Sequence, residues 1–473
     1  MHKKTVHFIS LGCPKNRVDS EVMLGTVRGQ GYEHTTDPTG ADMIVVNTCG
    51  FIEQAKQESI ETILEMAKYK SSGSCQKLVV TGCLSQRYSS ELSSELPEVD
   101  HFLGSSDMPK IASLLKQGAP RMLVGNPADW VVSASDPRTI STRGASAYVK
   151  IAEGCNRSCS FCVIPRLRGK QRSRRISDIV SEVEALVAQG VLEINLVSQD
   201  TIAYGRDLAG SKGLPELVEA VAAVPGINWV RLFYLYPEKM NDGLIELIAD
   251  HPQVVPYIDM PLQHAADNML RRMRRGHGGK RLYELVERLR KRIDGLTFRT
   301  AFIVGHPGET QEEFEELCSF VNWARFDRVG VFRYSDEDEA RASALPEKVT
   351  KRDSYNRARK LMAMQRKISR ENNRRLLGQR LDVLVEGPSE ESELVMVGRH
   401  RGQAPDIDGC VYLSAGEARP GTIVSATISQ ASDYDVLGDI DESVPPIEGT
   451  RAPATGLPLV ARASDGRTVL RTV

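Results

Sequence analysis

Cys155, Cys159 and Cys162 stand within Glu153-Gly154-Cys155-Asn156-Arg157-Ser158-Cys159-Ser160-Phe161-Cys162, a C-x-x-x-C-x-x-C spacing with an aromatic residue before the last thiol. Three thiolates this close bind a metal centre well. A [4Fe–4S] cube has four irons and takes four ligands, so a three-cysteine loop leaves one iron open to a small chelating molecule. Two other chemistries use part of the pattern. Cys159 and Cys162, as a C-x-x-C pair, are half of a zinc site or a redox dithiol. A zinc site shows a second ligand pair at a set distance, and no pair of cysteines or histidines follows in the next thirty residues. A dithiol gives Cys155 no role.

Three further cysteines are scattered upstream. Residues Thr5–Leu11, Asp42–Asn47 and Lys77–Thr81 read as short apolar strands, with amphipathic helices over Arg17–Gln30 and Ile52–Tyr69 between them. Such βαβα alternation predicts a parallel sheet with helices on both faces. Cys13, Cys49 and Cys83 each fall just past a strand, at gaps of 36 and 34 residues. Loops after parallel strands gather at the carboxyl edge of the sheet, so these three should meet in space as a second metal site. Buried core thiols are the alternative, but turn residues flank all three: Gly12 and Pro14, Gly50, and Gly82. Cys75, in a Ser/Gly-rich loop, is the spare; Cys318 and Cys410 read as structural. Nine cysteines in mostly metal-type contexts fit a reducing cytoplasm better than a disulfide framework.

The elements that must position these thiols set the domain plan. Residues 1–126 form the N-terminal open parallel α/β domain, and 127–144, punctuated by Pro127, Pro137 and Gly144, a linker. Within 145–377, strands are expected at Ala147–Ala152, Glu193–Ser198, Trp229–Tyr234, Tyr257–Met260, Arg299–Val304 and Arg328–Tyr334, separated by helical patterns. Six such units predict an incomplete (β/α)6 barrel with the Cys155 loop at its C-terminal face, where barrel sites lie. A charged helix over Lys351–Leu377 follows; its Arg357, Arg359, Lys360, Arg366, Lys367 and Arg370 could face nucleic acid, but such a stripe is more often a solvated face. Residues 378–440 read as a small antiparallel β-barrel, and 441–473, rich in proline and without periodicity, as a disordered tail.

With 61 basic and 62 acidic residues, the chain has no overall nucleic-acid signature. No stretch approaches eighteen apolar residues, so no membrane span is expected, and the start lacks the apolar segment of a signal peptide.

The Cys155 loop resembles the radical S-adenosylmethionine (SAM) superfamily, in which the amino and carboxylate groups of SAM fill the open iron site. The whole order resembles the methylthiotransferases, whose last module is the TRAM domain. The resemblance covers residues 1–440 and rests on four motifs in order: Leu11-Gly12-Cys13-Pro14-Lys15-Asn16, Asn47-Thr48-Cys49-Gly50-Phe51-Ile52, Thr81-Gly82-Cys83-Leu84 and the Cys155 loop. It implies two [4Fe–4S] clusters: one on Cys155, Cys159 and Cys162 that reduces SAM to a 5′-deoxyadenosyl radical, and one on Cys13, Cys49 and Cys83 that presents sulfur. A second SAM would supply the methyl group. SAM contacts are expected from Phe161, beside the last ligand, from Ser198 and Gln199 at a strand end, and from Gly305 in Gly305-His306-Pro307-Gly308-Glu309-Thr310. Gln263 and His264 are weaker candidates. Arg166, Arg168, Arg172, Arg174 and Arg175 could steer a carboxylate or an electron donor, a flavoprotein or ferredoxin, or simply be solvated. The family's Tyr-Ser-x-Glu-Glu-Gly-Thr pattern departs here to Tyr334-Ser335-Asp336-Glu337-Asp338-Glu339-Ala340, without the glycine.

Two branches of this family act on different substrates, an adenosine in tRNA or an aspartate on the decoding-centre protein of the small ribosomal subunit. The residues after Cys13 and Cys49 resemble the second branch. A physical feature agrees: residues 378–440 hold eleven acidic residues and four basic ones. A tRNA-binding module neutralises phosphates with Lys and Arg, whereas an acidic one suits a basic ribosomal protein. The expected reaction is replacement of an aspartate β-hydrogen by a methylthio group. The rivals are the tRNA enzyme and a non-enzymatic iron–sulfur carrier; the first draws on the basic helix, and the second predicts no SAM cleavage.

Overall fold

The computed structural model describes residues 3–211, 213–389, 392 and 394–449. The first sheet has six parallel strands, β1 (Thr5–Ser10), β2 (Glu33–His34), β3 (Met43–Thr48), β4 (Lys77–Gly82), β5 (His101–Leu103) and β6 (Met122–Leu123), in the order β2-β1-β3-β4-β5-β6. The three expected strands form its centre, and every residue of β3 is buried, the pattern of a parallel strand covered on both faces. Ser10 lies opposite Asn47, and Thr48 opposite Gly82, so the ends of β1, β3 and β4 are level.

The central unit carries β7 (Ser146–Lys150), a short antiparallel pair β8 (Ala152–Glu153) and β9 (Arg172–Ser173), then β10 (Glu193–Val197), β11 (Trp229–Leu232), β12 (Tyr257–Asp259), β13 (Thr297–Val304) and β14 (Arg328–Arg333). Its parallel strands run β7-β10-β11 and β12-β13-β14, with a bridge between Val230 and Val254 spanning the gap, as an incomplete six-stranded barrel requires. Helices lock locally. Thr310 and Glu313 form a reciprocal capping box on the helix Gln311–Ala324. Pro14 opens the helix Pro14–Arg28 at a position where its missing N–H costs nothing.

The last unit is a closed barrel of β15 (Arg380–Pro388), β16 (Met396–His400), β17 (Val411–Ala415), β18 (Ile423–Ala431) and β19 (Val436–Ile440), ordered β15-β16-β17-β19-β18. All its pairings are antiparallel except β17–β19, which is parallel because the β18–β19 hairpin folds back beside β17. It is clamped to the central barrel by buried charge: Glu193 of β10 receives Arg399 of β16 at 2.6 Å, and Arg231 of β11, itself 2.9 Å from Glu193, donates to the Arg401 carbonyl at 2.8 Å. Residues Asp441–Gly449 do not leave the barrel, since Ile447 and Ile423 exchange backbone hydrogen bonds of 2.9 Å. The rest of the expected disordered tail, and Glu390, Glu391 and Glu393, lie outside the described residues.

Among the described residues no helix is long and apolar enough to cross a membrane. The helix Lys351–Arg374 packs on β14 through Leu361, Gln365 and Ile368, and leaves Arg359, Lys360, Arg366 and Lys367 in solvent. Arg357 turns inward to Glu309 at 2.6 Å, and Arg370 pairs with Asp433 at 2.5 Å.

Candidate functional site

Cys49 and Cys83 follow β3 and β4 directly and Cys13 lies three residues past the end of β1, on three adjacent strands. Cys13 caps the helix Pro14–Arg28, and Cys83 opens the helix Cys83–Arg87. Two glycines let the loops close. A Cβ on Gly12, which sits at φ +86°, would lie 2.8 Å from Cys49 Cβ and 3.1 Å from its Sγ. One on Gly50 would lie 2.8 Å from the backbone N of Leu84. Asn16 Nδ2 donates to Leu11 and Thr48 carbonyls, both at 3.0 Å, tying the first two loops together. Burial pushes the Cys49 and Cys83 thiols up, and the neighbouring thiols add to it; at Cys83 the Arg168 guanidinium pulls the other way.

The second triad lies in the loop after β8. Cys155 N–H donates to Gly169 O at 3.1 Å, and Ser160 N–H to Met273 O at 3.1 Å, which pins both ends. The thiols have donors aimed at them: Arg157 N–H lies 3.4 Å from Cys155 Sγ, and Arg275 Nη1 3.4 Å from Cys159 Sγ. Arg157 and Arg275 both stack on the Tyr236 ring, at 3.5 and 4.0 Å from its centre. Arg157 is held further by Asp200 at 2.6 Å and Glu238 at 2.7 Å. Burial raises Cys155 to about 11, and burial with the Cys159 thiol raises Cys162 to about 12.

All six cysteines are free thiols. Among the described residues no group of three Cys, His, Asp or Glu converges as a single ion demands. Ligands to separate irons of one cluster need not share a focus, so the donor set suits a polynuclear iron–sulfur group with thiolate ligands. The N–H···S and guanidinium···S contacts favour the ionised thiol, which is the ligating form.

Between the triads runs a buried charged network. Arg168, six residues past Cys162, reaches Cys83 Sγ at 3.3 Å, Asn16 Oδ1 at 2.6 Å and Asp19 at 2.8 Å. Lys150 pairs with Asp19 at 2.6 Å and also with Glu153. Burial would raise Glu153, but Lys150 and Arg168 hold its carboxyl well below the usual range. The linker joins in through Arg138, which bridges Glu21 and Glu182 at 2.5 Å each.

The residues expected to contact SAM have protein partners of their own. Phe161 packs against the buried cluster of Ala266, Met269 and Met273. Ser198 Oγ lies 3.1 Å from Thr201 Oγ1. Gln199 Nε2 donates to Glu153 at 2.5 Å, leaving its Oε1 buried without a partner. Gly305, at φ +79°, lets the helix Lys351–Arg374 approach, since a Cβ there would meet Ser354 Oγ at 2.5 Å. Gln263, at φ +73°, bridges to Phe302, and His264 Nε2 lies 3.2 Å from Glu309.

In the arginine cluster, Arg168 and Arg174 are buried and Arg166 and Arg175 exposed, so the five do not act as one solvent-facing patch. The segment lacking the family glycine has its own anchor: Glu337 is buried and takes Arg87 at 2.5 Å and Lys56 at 3.1 Å from the first domain. Glu339, at the glycine's place, is outside the left-handed region, so no glycine is required there. Sequence reasoning missed Glu153, Asp19 and Arg168 as a network. The one available signal was Glu153 at a strand end immediately before Gly154-Cys155.

Three family models match: the uncharacterized protein family UPF0004 over residues 5–104, the radical SAM superfamily over 149–321 and the TRAM domain over 377–440. The chain is 65% identical over 446 residues to a protein of Sorangium cellulosum named ribosomal protein uS12 methylthiotransferase RimO, covering 93% of this chain and 91% of that one. Proteins of the same name from Myxococcus xanthus and Geobacter sulfurreducens are 51% and 49% identical, over 94% and 93% of this chain and 93% and 99% of theirs. Among solved structures, the radical SAM methyltransferase TsrM of Kitasatospora setae aligns with a TM-score of 0.50 at 16% identity, over 70% of this chain and 75% of that one, a likeness of fold. The chain is an enzyme of the radical SAM methylthiotransferases and belongs to the family named ribosomal protein uS12 methylthiotransferase.

Proposed function

We propose that this enzyme replaces a β-hydrogen of an aspartate in ribosomal protein uS12 with a methylthio group, in the cytoplasm, using SAM as radical source and as methyl donor. The observation that carries the reading is a contact between the two cysteine segments: Arg168, six residues past Cys162, donates to Cys83 Sγ at 3.3 Å. Cys155, Cys159 and Cys162 would hold one [4Fe–4S] cluster, and Cys13, Cys49 and Cys83 a second. When bound, the first supplies the electron that cleaves SAM, and the second presents sulfur.

The chain's own residues then do three jobs. Arg157 and Arg275, clamped on Tyr236, fix the loop and place positive charge beside Cys155 and Cys159. The Lys150–Asp19–Arg168–Glu153 network holds the two domains at one distance and keeps water out of their seam. Gln199 Oε1, Phe161, Ser198 and the Gly305 turn lie at the barrel's C-terminal side, where SAM would be oriented.

The last barrel supports a protein substrate. Asp408 and Glu386 are engaged with Arg299 and Arg399, so part of its acidity faces inward, while Asp406 pairs with Arg17 from an exposed position. Asp382, Glu417 and Asp439 remain in solvent and favour a basic partner over a phosphate backbone. A small reducing flavoprotein or ferredoxin would deliver electrons. The test is mass analysis of isolated uS12 after anaerobic reaction with cluster-loaded enzyme, SAM, reductant and sulfide. A methylthio gain on one aspartate supports the reading; SAM cleavage with uS12 unmodified and tRNA modified would replace it.

A further inference from the structure

The outer face of the Cys155–Cys162 loop is open to solvent at Asn156 and Ser158, both small and uncharged. Three segments border it. Cys155 N–H donates to Gly169 O, and Gln171 N–H to Asn156 Oδ1 at 3.2 Å, which sets Lys170 beside the loop. Ser160 N–H donates to Met273 O, and Arg275 reaches Cys159, so the backbone of Arg274 between them lies against the loop as well. Glu238 pairs with Arg157 at 2.7 Å; Lys239 follows it, and Arg281 donates to the Glu238 carbonyl at 3.1 Å. Lys170, Lys239, Arg274 and Arg281 are exposed, and among the described residues none of the four forms an ion pair. Exposed arginines elsewhere do: Arg288 has Asp242 at 3.2 Å, and Arg370 has Asp433 at 2.5 Å.

The sequence and the backbone of one bordering segment agree. Residues 268–281 hold six basic residues and no acidic one. Arg274 sits at φ +58°. Its N–H donates to Arg271 O at 3.0 Å, and Arg275 N–H to Leu270 O at 2.9 Å. The helix Asp267–Arg272 is thus closed by the left-handed turn where glycine is usual. An arginine is strained there and a glycine is not. Among the described residues the Arg274 side chain makes no hydrogen bond or ion pair that would offset the strain. Folding alone gives no reason for a cation at 274.

We propose that Lys170, Lys239, Arg274 and Arg281 ring the docking site of an acidic flavoprotein of the flavodoxin kind. The exposed edge of its flavin meets the small side chains of Asn156 and Ser158, and the acids around that edge meet the four cations. Opposite fields speed the encounter and set its orientation. One electron leaves the flavin hydroquinone, which becomes the semiquinone, and enters the enzyme at the loop. The inference rests on the reading that the Cys155–Cys162 loop is where the enzyme is reduced.

Calorimetry tests it, measuring the affinity of an acidic flavodoxin for anaerobic, cluster-loaded enzyme at low and high salt. Binding is expected to weaken as salt rises. R274G is expected to bind about fivefold more weakly at low salt, the upper end for one exposed charge pair, with a thermal midpoint unchanged or raised. K239Q and R281Q should follow it. R292Q, in the last turn of the helix that Arg281 begins, should bind as wild type does. SAM cleavage driven by dithionite should be the same in all of them. Binding that ignores salt, or that falls as far in R292Q as in R274G, overturns the inference. So does a ferredoxin that binds through the four cations while the flavodoxin does not. Dithionite failing to drive cleavage in the wild type sinks the assignment of the loop itself, and the docking site with it.

Discussion

Arg168 Nε lies 3.3 Å from Cys83 Sγ while the same guanidinium pairs with Asp19 at 2.8 Å, and both partners are buried. One arginine, six residues past the last thiol of one triad, therefore touches a thiol of the other and the seam between domains. Replacing it with methionine strips a cationic donor from Cys83. The reduced state of a cluster there, being the more negative, loses more by this, so its potential falls. Asp19 keeps Lys150, which sets the stability loss at the low end for a broken buried pair, about 3 kcal/mol. Potentiometric EPR titration and urea melts read the two effects separately.

Gly50 is needed for proximity, not for conformation. A Cβ there meets the Leu84 backbone at 2.8 Å and Cys83 C at 2.9 Å, so G50A must push the β3 and β4 loops apart. The expected outcome is loss of iron from the first triad with the second unaffected. Gly31 is the control. It sits at φ +87° with nothing near its missing Cβ, so G31A should cost about 1 kcal/mol of strain and no iron. Iron counts on the two purified variants decide the point.

Glu193 fixes the pH range over which the last barrel stays docked. Burial alone would raise its carboxyl, but Arg399 and Arg231 lower it from 4.5 to about 2. A carboxylate depressed in the folded state adds stability that is full above its unfolded value and is lost as pH falls toward its folded one. Docking should therefore weaken between pH 4.5 and about 2, seen as protease cleavage near residue 378. E193Q should be cleaved there already at neutral pH.

The placement of Cys13, Cys49 and Cys83 was legible because parallel strands send their loops to one edge. Cys13, Cys49 and Cys83 each follow a strand whose apolar run marks it. The strands β5 and β6 were not legible, since three and two residues carry no period. The network at Asp19, Lys150, Glu153 and Arg168 was equally hidden. Asp19 and Lys150 are 131 positions apart, and an acid on an amphipathic helix reads as solvent-facing until a second domain covers it. Ser198 and Gly305 were singled out from their places at strand ends, yet their contacts are Thr201 and the Ser354 helix. Strand-end position alone does not separate cofactor contacts from packing.

The central claim is that two thiol triads divide the reaction between them, and paired triple variants test it most directly. Anaerobic assays would follow SAM cleavage and methylthio transfer to uS12 side by side. With Cys13, Cys49 and Cys83 all changed to alanine, SAM cleavage is predicted to persist while methylthio transfer disappears. With Cys155, Cys159 and Cys162 changed, both are predicted to vanish while iron remains on the first triad. Methylthio transfer by the first variant, or SAM cleavage by the second, would contradict the account.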